Sequence, residues 1–275
     1  MNPIFLKKIL ELYILEDSYF SDITTEAIVS NKKVVGTIKA KEDFVLAGSI
    51  FIEPLFEIFG KPHSIEIFKK EGEWIKKGDI IAKIEAEDSV ILTAERVCLN
   101  ILQRLSGIAT KTRSLADLIK DHKAKIVDTR KTTPGFRFFE KYAVRVGGGA
   151  NHRMGLFDAA LIKDNHIKAA GSIKKAIELV KKNCSFTTKI EVECENENMV
   201  AEAIENGSDI VMLDNMQIED MRRIVEKYKG KAIFEASGNI DENNIVNVAE
   251  TGVDFISTGS LTHHACWVDI NMKLE

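Results

Sequence analysis

Two hydrophobic rhythms divide the chain. It opens on MNPIFLKKILELYILED, where apolar residues recur every three or four positions. That spacing predicts an amphipathic surface helix, because no charged end leads into an unbroken apolar run as a secretory signal would require. From Val34 to Leu92 the pattern shortens to β-rich runs: VVGTIKA, FVLAG, IEIFKK, IIAKIEA and VILTA. Turn signals at Gly36, Gly72 and Lys77-Gly78-Asp79 separate them. One helix-like run, IFIEPLFEIFG, is inserted, and together these predict a small α+β sandwich. From Thr93 to about Lys120, Val97, Ile101, Leu105, Ile108, Leu115 and Leu118 keep a helical period. Gly107 marks a point where that helix would bend, and the helix is expected to bridge two domains.

Beyond it the chain settles into a repeat. The runs AKIVDTRK, DAALIKDN, TKIEVEC, DIVMLDN, KAIFEASG and VDFISTGS are apolar and end in a polar or charged residue. Helical stretches such as SIKKAIELVKKN (Ser172 as N-cap), ENMVAEAIENG, IEDMRRIVEKYKG and ENNIVNVAETG lie between them. Strand, helix, strand at this spacing predicts right-handed βαβ units and a parallel sheet. Six such strands are visible, and a seventh is expected between Ala143 and Arg153. The predicted fold class is therefore α/β, an incomplete, seven-stranded α/β barrel with an N-terminal α+β sandwich. The sandwich is assigned to 1–104 and the barrel to 105–275, with the C-terminal tail able to return to the first domain. A doubly wound open sheet is the alternative, weakened because no GxGxxG follows any strand.

Composition narrows the function classes. With 45% hydrophobic and 29% charged residues in 275, the chain is an ordinary globular one. Lys+Arg 38 against Asp+Glu 42 leaves a net charge of -4, which argues against nucleic acid as a partner. The greasiest region, Leu46 to Phe59, is broken by Glu53, Pro54 and Glu57, so no membrane span is expected. Cys98, Cys184, Cys194 and Cys266 form no CxxC pair and read as buried reduced thiols of a cytoplasmic protein. The segment EGEWIKKGDIIAKIEA has the outline of a lipoyl or biotin carrier turn, which needs a modifiable lysine at an exposed turn. Lys76 and Lys77 precede the turn glycine without flanking apolar residues, which favours an ordinary hairpin.

In an α/β barrel the functional side chains sit at the C-terminal ends of the strands. Here those ends supply Arg130 and Lys131, Lys163, Glu193, Asp214, Ser237 with Gly238, and Gly259, and one loop adds His152 and Arg153. Taken singly, a lysine at a strand end is usually a solvated rim residue and an aspartate a helix cap. Their recurrence on what should be one rim favours a site. Cations suit carboxylates and phosphates, the Ser-Gly and Thr-Gly-Ser turns offer N–H groups, and the two carboxylates can face a metal or a developing positive charge. The stretch KTTPGFRFFEKYAVRVGGGANHRMGL adds Phe136, Phe138 and Phe139, read as buried beneath the loop. A Schiff-base aldolase using Lys163 remains a rival from another class.

ERVCLNILQRLSGIAT, DTRKTTPGFRFFEKYAVRVGGGANHRMGLFDAALIKDNHI, IEVEC, VMLDN, EASGNI and GVDFISTGSLTHHA together resemble the quinolinate phosphoribosyltransferase family. The similarity runs through nearly the whole chain and includes EDSYFSDITTEAI, where Ser21 stands in place of the family's more common glycine. The resemblance implies a pentosyltransferase that joins quinolinate to phosphoribosyl pyrophosphate with decarboxylation, giving nicotinate mononucleotide for NAD biosynthesis. It implies that Arg130, His152 and Arg153 hold the quinolinate carboxylates, with Arg96 added from a neighbouring subunit of a homodimer, a hexamer being left open. It implies that Lys131 and Lys163 stand between the substrates and that Glu193 and Asp214 face the ribose and its magnesium, directly or through water. Ser237, Gly238, Gly259 and His263 would bind the 5-phosphate region. A proton donor after decarboxylation is left open among Lys131, Lys163 and water.

Overall fold

A computed structural model describes residues 2–275. The chain forms two compact units, one made of the chain up to Thr110 together with Ala265–Glu275, the other of Lys111–His264.

In the first unit, helix α1 (Pro3–Ser18) starts at Asn2, whose side chain accepts hydrogen bonds from the Ile4 and Phe5 N–H groups, with Pro3 at the first helical position. Leu6, Leu10 and Ile14, four residues apart, form its buried stripe. The short helix α2 (Ile23–Ile28) follows, capped by Asp22. Strands β1 (Lys33–Ala40), β2 (Phe44–Val45), β3 (Ser64–Ile67), β4 (Trp74–Ile75) and β5 (Ile80–Glu87) come next, with helix α3 (Ile52–Glu57) between β2 and β3. An antiparallel sheet runs in the order C-terminal strand (Ile270–Leu274), β1, β5, β3. On β5 the alternate residues Ala82, Ile84 and Ala86 are buried, the two-residue period of a strand with one face on a core. The EGEWIKKGDIIAKIEA segment is not a hairpin. β4 pairs with β2, whereas β5 pairs with β1 and β3, so the turn joins two sheets. Lys76 is tied to Asp43 at 2.8 Å and Asp43 also accepts the Lys77 N–H, which uses up the exposed carboxylate at that turn.

Helix α4 (Asp88–Leu118) begins earlier than the sequence suggests. The run VILTA belongs to it rather than to a strand. Val90, Ile91, Ala94, Val97, Cys98 and Ile101 are buried at helical spacing, and that longer period outweighs the local β-branched composition. The helix continues through Gly107, where an added Cβ would lie 1.8 Å from the Cys266 carbonyl oxygen. The glycine is required by the close passage of the tail, which is also pinned by Arg104 Nη1 donating to Ala265 O at 3.0 Å and Gln103 Nε2 to Ile270 O at 3.0 Å.

The second unit is a run of strand–helix repeats. Its elements are β6 (Lys125–Val127), α5 (Arg137–Val146), β7 (Ala160–Ile162), α6 (Asp164–Ala170), α7 (Ile173–Asn183), β8 (Ile190–Cys194) and α8 (Glu197–Glu205). They continue as β9 (Ile210–Asp214), α9 (Ile218–Lys227), β10 (Ile233–Ser237), α10 (Ile245–Ala249), β11 (Phe255–Ser257) and α11 (Ser260–His263). Ser172 Oγ caps α7, accepting from Lys175 N at 3.1 Å, as its position before the apolar period predicts. All six predicted strands form, in a parallel sheet ordered β6-β11-β10-β9-β8-β7. The expected seventh strand is corrected: Arg137–Val146 is helical, and only Ala150 makes a single parallel bridge to Val127, on the free side of β6. The three glycines 147–149 end the helix and leave too little chain for a ladder.

The sheet is strongly curved. Ala150 and β8 are five strand spacings apart, roughly 24 Å in a flat sheet. Yet His152, two residues beyond Ala150, places Nε2 2.9 Å from a Glu191 oxygen on β8 and 3.4 Å from a Glu235 oxygen on β10. Only a sheet rolled into a barrel-like arc, with these side chains on its inner face, allows both contacts. Among the described residues no helix is long and apolar enough to cross a membrane.

Candidate active site

Parallel strands deliver their C-terminal ends to one rim. The register pairs Ser237 with both Asp214 and Ser257, and Glu193 with Met212, so the tips of β8 to β11 stand level. Over them lies a cavity of about 860 Å³, lined wholly by residues of the second unit.

One side of the cavity is cationic. The chain leaving β6 supplies Arg130 and Lys131, and the segment after Ala150 supplies His152 and Arg153. The exit from β6 is held by its own polar contacts. Thr133 gives its N–H and hydroxyl to the two oxygens of buried Glu140 on α5, each at 3.0 Å, and Arg137 Nε donates to Thr132 Oγ1 at 2.9 Å. Arg153 anchors Nη1 on the Ala159 carbonyl at 2.8 Å, while its Nε is buried with no partner among the described residues. Burial and the neighbouring Arg130 guanidinium both press the Arg153 pKa down, the signature of positive charge without enough negative charge beside it. An anion is what such a pair lacks.

The other side mixes acids with small residues. Lys163, just past β7, is ion-paired with Glu193 at the end of β8. Asp214 closes β9, and its Oδ2 accepts from Asn215 Nδ2 at 2.8 Å. Asn239 Nδ2 in turn donates to Asn215 Oδ1 at 3.0 Å. Ser237 and Gly238 end β10, and Gly259 follows β11. His263 packs edge-on against His264 with ring centroids 4.2 Å apart. Burial, His264 and Lys131 all lower its pKa, so the ring is neutral near pH 7. Thr262 Oγ1 donates to the Lys131 carbonyl at 2.7 Å, which ties the β11 loop to the β6 loop.

Beneath the cationic side lies a buried acidic frame. Asp128, the residue after β6, has no exposed side-chain surface and is paired with equally buried Lys141 of α5. It also accepts the His152 N–H at 3.0 Å and Asn151 Nδ2 at 2.5 Å. Burial raises the Asp128 pKa, with the Lys141 charge opposing it. Burial likewise opposes a charge on His152, while its hydrogen-bonded carboxylates, Glu191 and Glu235, pull its pKa upward. The Arg153 N–H, aimed at His152 Nδ1 at 2.8 Å, pulls the other way, since only an unprotonated nitrogen can accept it. Burial pushes Glu191 up, and the like charge of Glu235 adds to this against the His152 hydrogen bond.

The structure thus brings together Arg130, Lys131, His152, Arg153, Lys163 and Glu193, and with them Asp214, Ser237, Gly238, Gly259 and His263. Arg96 is not among the lining residues. It sits exposed on α4 in the first unit. Of the three phenylalanines expected beneath the loop, Phe139 is fully buried and stacks on Phe136 at 5.0 Å, whereas Phe136 and Phe138 are only half-buried. Two of the four thiols, Cys184 and Cys266, are exposed rather than buried, though all four are free. Sequence reasoning missed Thr129, Asn215, Glu235 and Asn239 in the lining and Glu191 beneath it. The acids had a signal: Glu191 stands two residues before Glu193, and Glu235 two before Ser237, so strand alternation puts each on the inner face below a rim residue.

Comparison with known proteins covers the whole chain. Residues 22–106 match the family model described as quinolinate phosphoribosyl transferase, N-terminal domain, and residues 108–273 match its C-terminal domain. A protein of Bacillus subtilis (strain 168) named probable nicotinate-nucleotide pyrophosphorylase [carboxylating] is 41% identical over 274 residues, 100% of this chain and 95% of that one. The chloroplastic nicotinate-nucleotide pyrophosphorylase [carboxylating] of Arabidopsis thaliana is 38% identical, covering 98% and 83%. The solved structure of the nicotinate-nucleotide pyrophosphorylase from Francisella tularensis superposes with a TM-score of 0.91 at 39% identity, covering 100% and 98%.

Proposed function

This chain belongs to the quinolinate phosphoribosyltransferase family, and from that premise we propose that its rim cavity joins quinolinate to phosphoribosyl pyrophosphate, yielding nicotinate mononucleotide, pyrophosphate and carbon dioxide. The observation that carries this reading is the division of one cavity into a cationic side and a side of carboxylates and small residues. The first suits a pyridine diacid and the second a sugar phosphate.

Arg130 and Arg153 take the two carboxylates, with His152 beside them. Their guanidiniums supply paired N–H donors in the fork geometry a carboxylate matches. Arg96, exposed on α4, is added from a partner chain, which makes a two-fold dimer the smallest active unit. Ser237, Gly238 and Gly259 bring backbone and hydroxyl donors to the 5-phosphate, with neutral His263 next to them. Lys131 and Lys163 stand between the substrates and lower the cost of bringing two anions together.

Glu193 and Asp214 turn to the ribose hydroxyls. When the bond from C1 to the leaving oxygen stretches, the ring becomes oxocarbenium-like, and these carboxylates stabilise that charge without moving a proton. The same two residues fit magnesium, which is proposed to arrive with the pyrophosphate. They are oxygen donors at the tips of neighbouring strands, and one Asp214 oxygen is already committed to Asn215, leaving the few carboxylate contacts that magnesium completes with water and phosphate. Cys194, the adjacent thiol, is pushed up to about 12 by burial and offers no soft ligand. Bound there, the ion would neutralise the departing pyrophosphate.

Decarboxylation needs no protein base. Once the ring nitrogen carries the ribose its positive charge stabilises the carbanion left by loss of the adjacent carboxylate as carbon dioxide, and that carbon then takes a proton from water, Lys131 or Lys163. The protein's part is to hold the diacid until the nitrogen is charged. A Schiff-base role for Lys163 is disfavoured, because its amine is committed to the ion pair with Glu193 rather than free to attack a carbonyl. The four free cysteines support a reducing compartment, here the cytoplasm. The test is release of labelled carbon dioxide from quinolinate. It should require phosphoribosyl pyrophosphate, and nicotinate offered in parallel should not be consumed. Use of nicotinate with quinolinate untouched would overturn the assignment.

A further inference from the structure

The cavity wall that would receive a diacid is backed by three buried acids, an arrangement that simple electrostatics counts against. Asp128 is fully buried, Glu191 is 2% and Glu235 3% exposed, and Glu235 reaches the cavity itself. Each negative charge so close to a dianion site repels the ligand. We propose that Asp128, Glu191 and Glu235 are positioning residues that fix His152, and through it Arg153, in the geometry that binds the diacid. This rests on the reading of the site given above and extends it to residues that do not touch the reacting atoms.

The geometry carries the proposal because every polar atom of His152 is engaged. Its N–H donates to Asp128 Oδ1 at 3.0 Å, and its carbonyl accepts from Lys141 Nζ at 3.1 Å. Its Nε2 faces Glu191 Oε2 at 2.9 Å and Glu235 Oε2 at 3.4 Å. Its Nδ1 accepts the N–H of Arg153 at 2.8 Å. The acids come from three different strands or strand ends: Asp128 after β6, Glu191 on β8 and Glu235 on β10. They converge on one residue of a segment that has no ladder of its own beyond the bridge at Ala150. That segment cannot rely on sheet pairing to hold its conformation, and the acids replace it.

Lys141 compensates Asp128, and Asn151 Nδ2 adds to the knot by bonding both Asp128 Oδ2 at 2.5 Å and the Lys141 carbonyl at 2.8 Å. Glu191 and Glu235 have no such lysine. One oxygen of each, Oε1, is buried without a partner among the described residues, so the His152 ring is their shared contact. Removing either acid frees the ring to turn and loosens the Arg153 N–H that rests on Nδ1. The chain then loses the fixed relation between Arg153 and Arg130 on which binding of a rigid diacid depends.

The sign of one measurement separates this from the alternatives. Glu191→Gln and Glu235→Gln preserve shape and remove charge. Steady-state kinetics on the full chain, with each substrate varied in turn, should show the quinolinate KM raised at least tenfold in each variant and the phosphoribosyl pyrophosphate KM changed less than twofold. Glu235→Asp keeps the charge but withdraws the oxygen from the ring, and it should also raise the quinolinate KM. A quinolinate KM that stays constant in a cooperatively melting variant would assign these acids a purely structural role. A KM that falls would mean their charge only repels, and either result overturns the proposal. The unmodified chain is measured alongside: failure to turn over quinolinate would sink the functional reading and this inference with it, whereas turnover with unshifted variants sinks the inference alone.

Discussion

Replacing Gly238 with alanine should weaken phosphoribosyl pyrophosphate binding about tenfold while leaving quinolinate recognition nearly untouched. Gly238 has φ +97, a conformation that L side chains rarely adopt, so any substitution there carries strain of about 1–3 kcal/mol. The new methyl would also lie 2.2 Å from Asn215 Oδ1 and 2.5 Å from its Cγ, so the Asn215 side chain must leave. That breaks the 2.8 Å hydrogen bond from Asn215 Nδ2 to Asp214 and the 3.0 Å bond from Asn239 to Asn215. A hydrogen bond to a charged group contributes about 1.5–3 kcal/mol when sheltered. Asn215 is exposed, so the low end applies, and about 1.4 kcal/mol is a factor of ten in affinity. The assay is pyrophosphate release at saturating quinolinate with the sugar substrate varied, together with a thermal melt. A lower melting temperature with an unchanged sugar-phosphate KM would refute the reasoning, since the strain would then be absorbed without disturbing Asp214.

Arg96→Ala should raise the quinolinate KM by more than tenfold with no change in melting temperature, because Arg96 is exposed on its own chain; an unchanged KM refutes a shared site. His263 has a lowered pKa from burial, His264 and Lys131, and a bound phosphate favours its protonated form. The sugar-phosphate KM should therefore fall as the pH is taken below the ordinary histidine value of about 6.5, and His263→Gln should lose that dependence. By the same sign the ligand-free fold, which resists protonation of this ring, should lose stability as pH falls through that range. Chelating magnesium should abolish pyrophosphate release yet leave quinolinate binding, measured by calorimetry, within twofold; loss of both would place the ion on the diacid instead.

The rim was legible because each strand of the barrel ends an apolar run on a polar residue. Lys163 and Asp214 stand where a continuous apolar run gives way to a turn and Glu193 one residue before such a break, and these breaks show in a single sequence. Glu191 and Glu235 showed only indirectly, through their two-residue spacing from Glu193 and Ser237, because an acid inside an apolar run reads by itself as an outward-facing residue. In a sheet rolled on itself that spacing points each inward, and His152, far away in the chain, is the partner they meet there. VILTA misled for a related reason: five residues cannot separate strand from helix, and the decision came from Val97, Cys98 and Ile101 further on. Gly107 needed the tail at Cys266 to explain it, a contact between segments widely separated in sequence. Nothing between Ala143 and Arg153 foretold that a helix and one bridge would replace a strand.

The central claim is that the end of β6 and the segment after Ala150 form one cationic seat for a pyridine diacid. A crystal structure of the chain soaked with quinolinate tests it most directly. Both carboxylates should lie between Arg130 and Arg153, with the ring nitrogen turned toward Glu193 and Asp214. Quinolinate seated elsewhere, or with its carboxylates on the Ser237 and Gly259 side, would contradict the account.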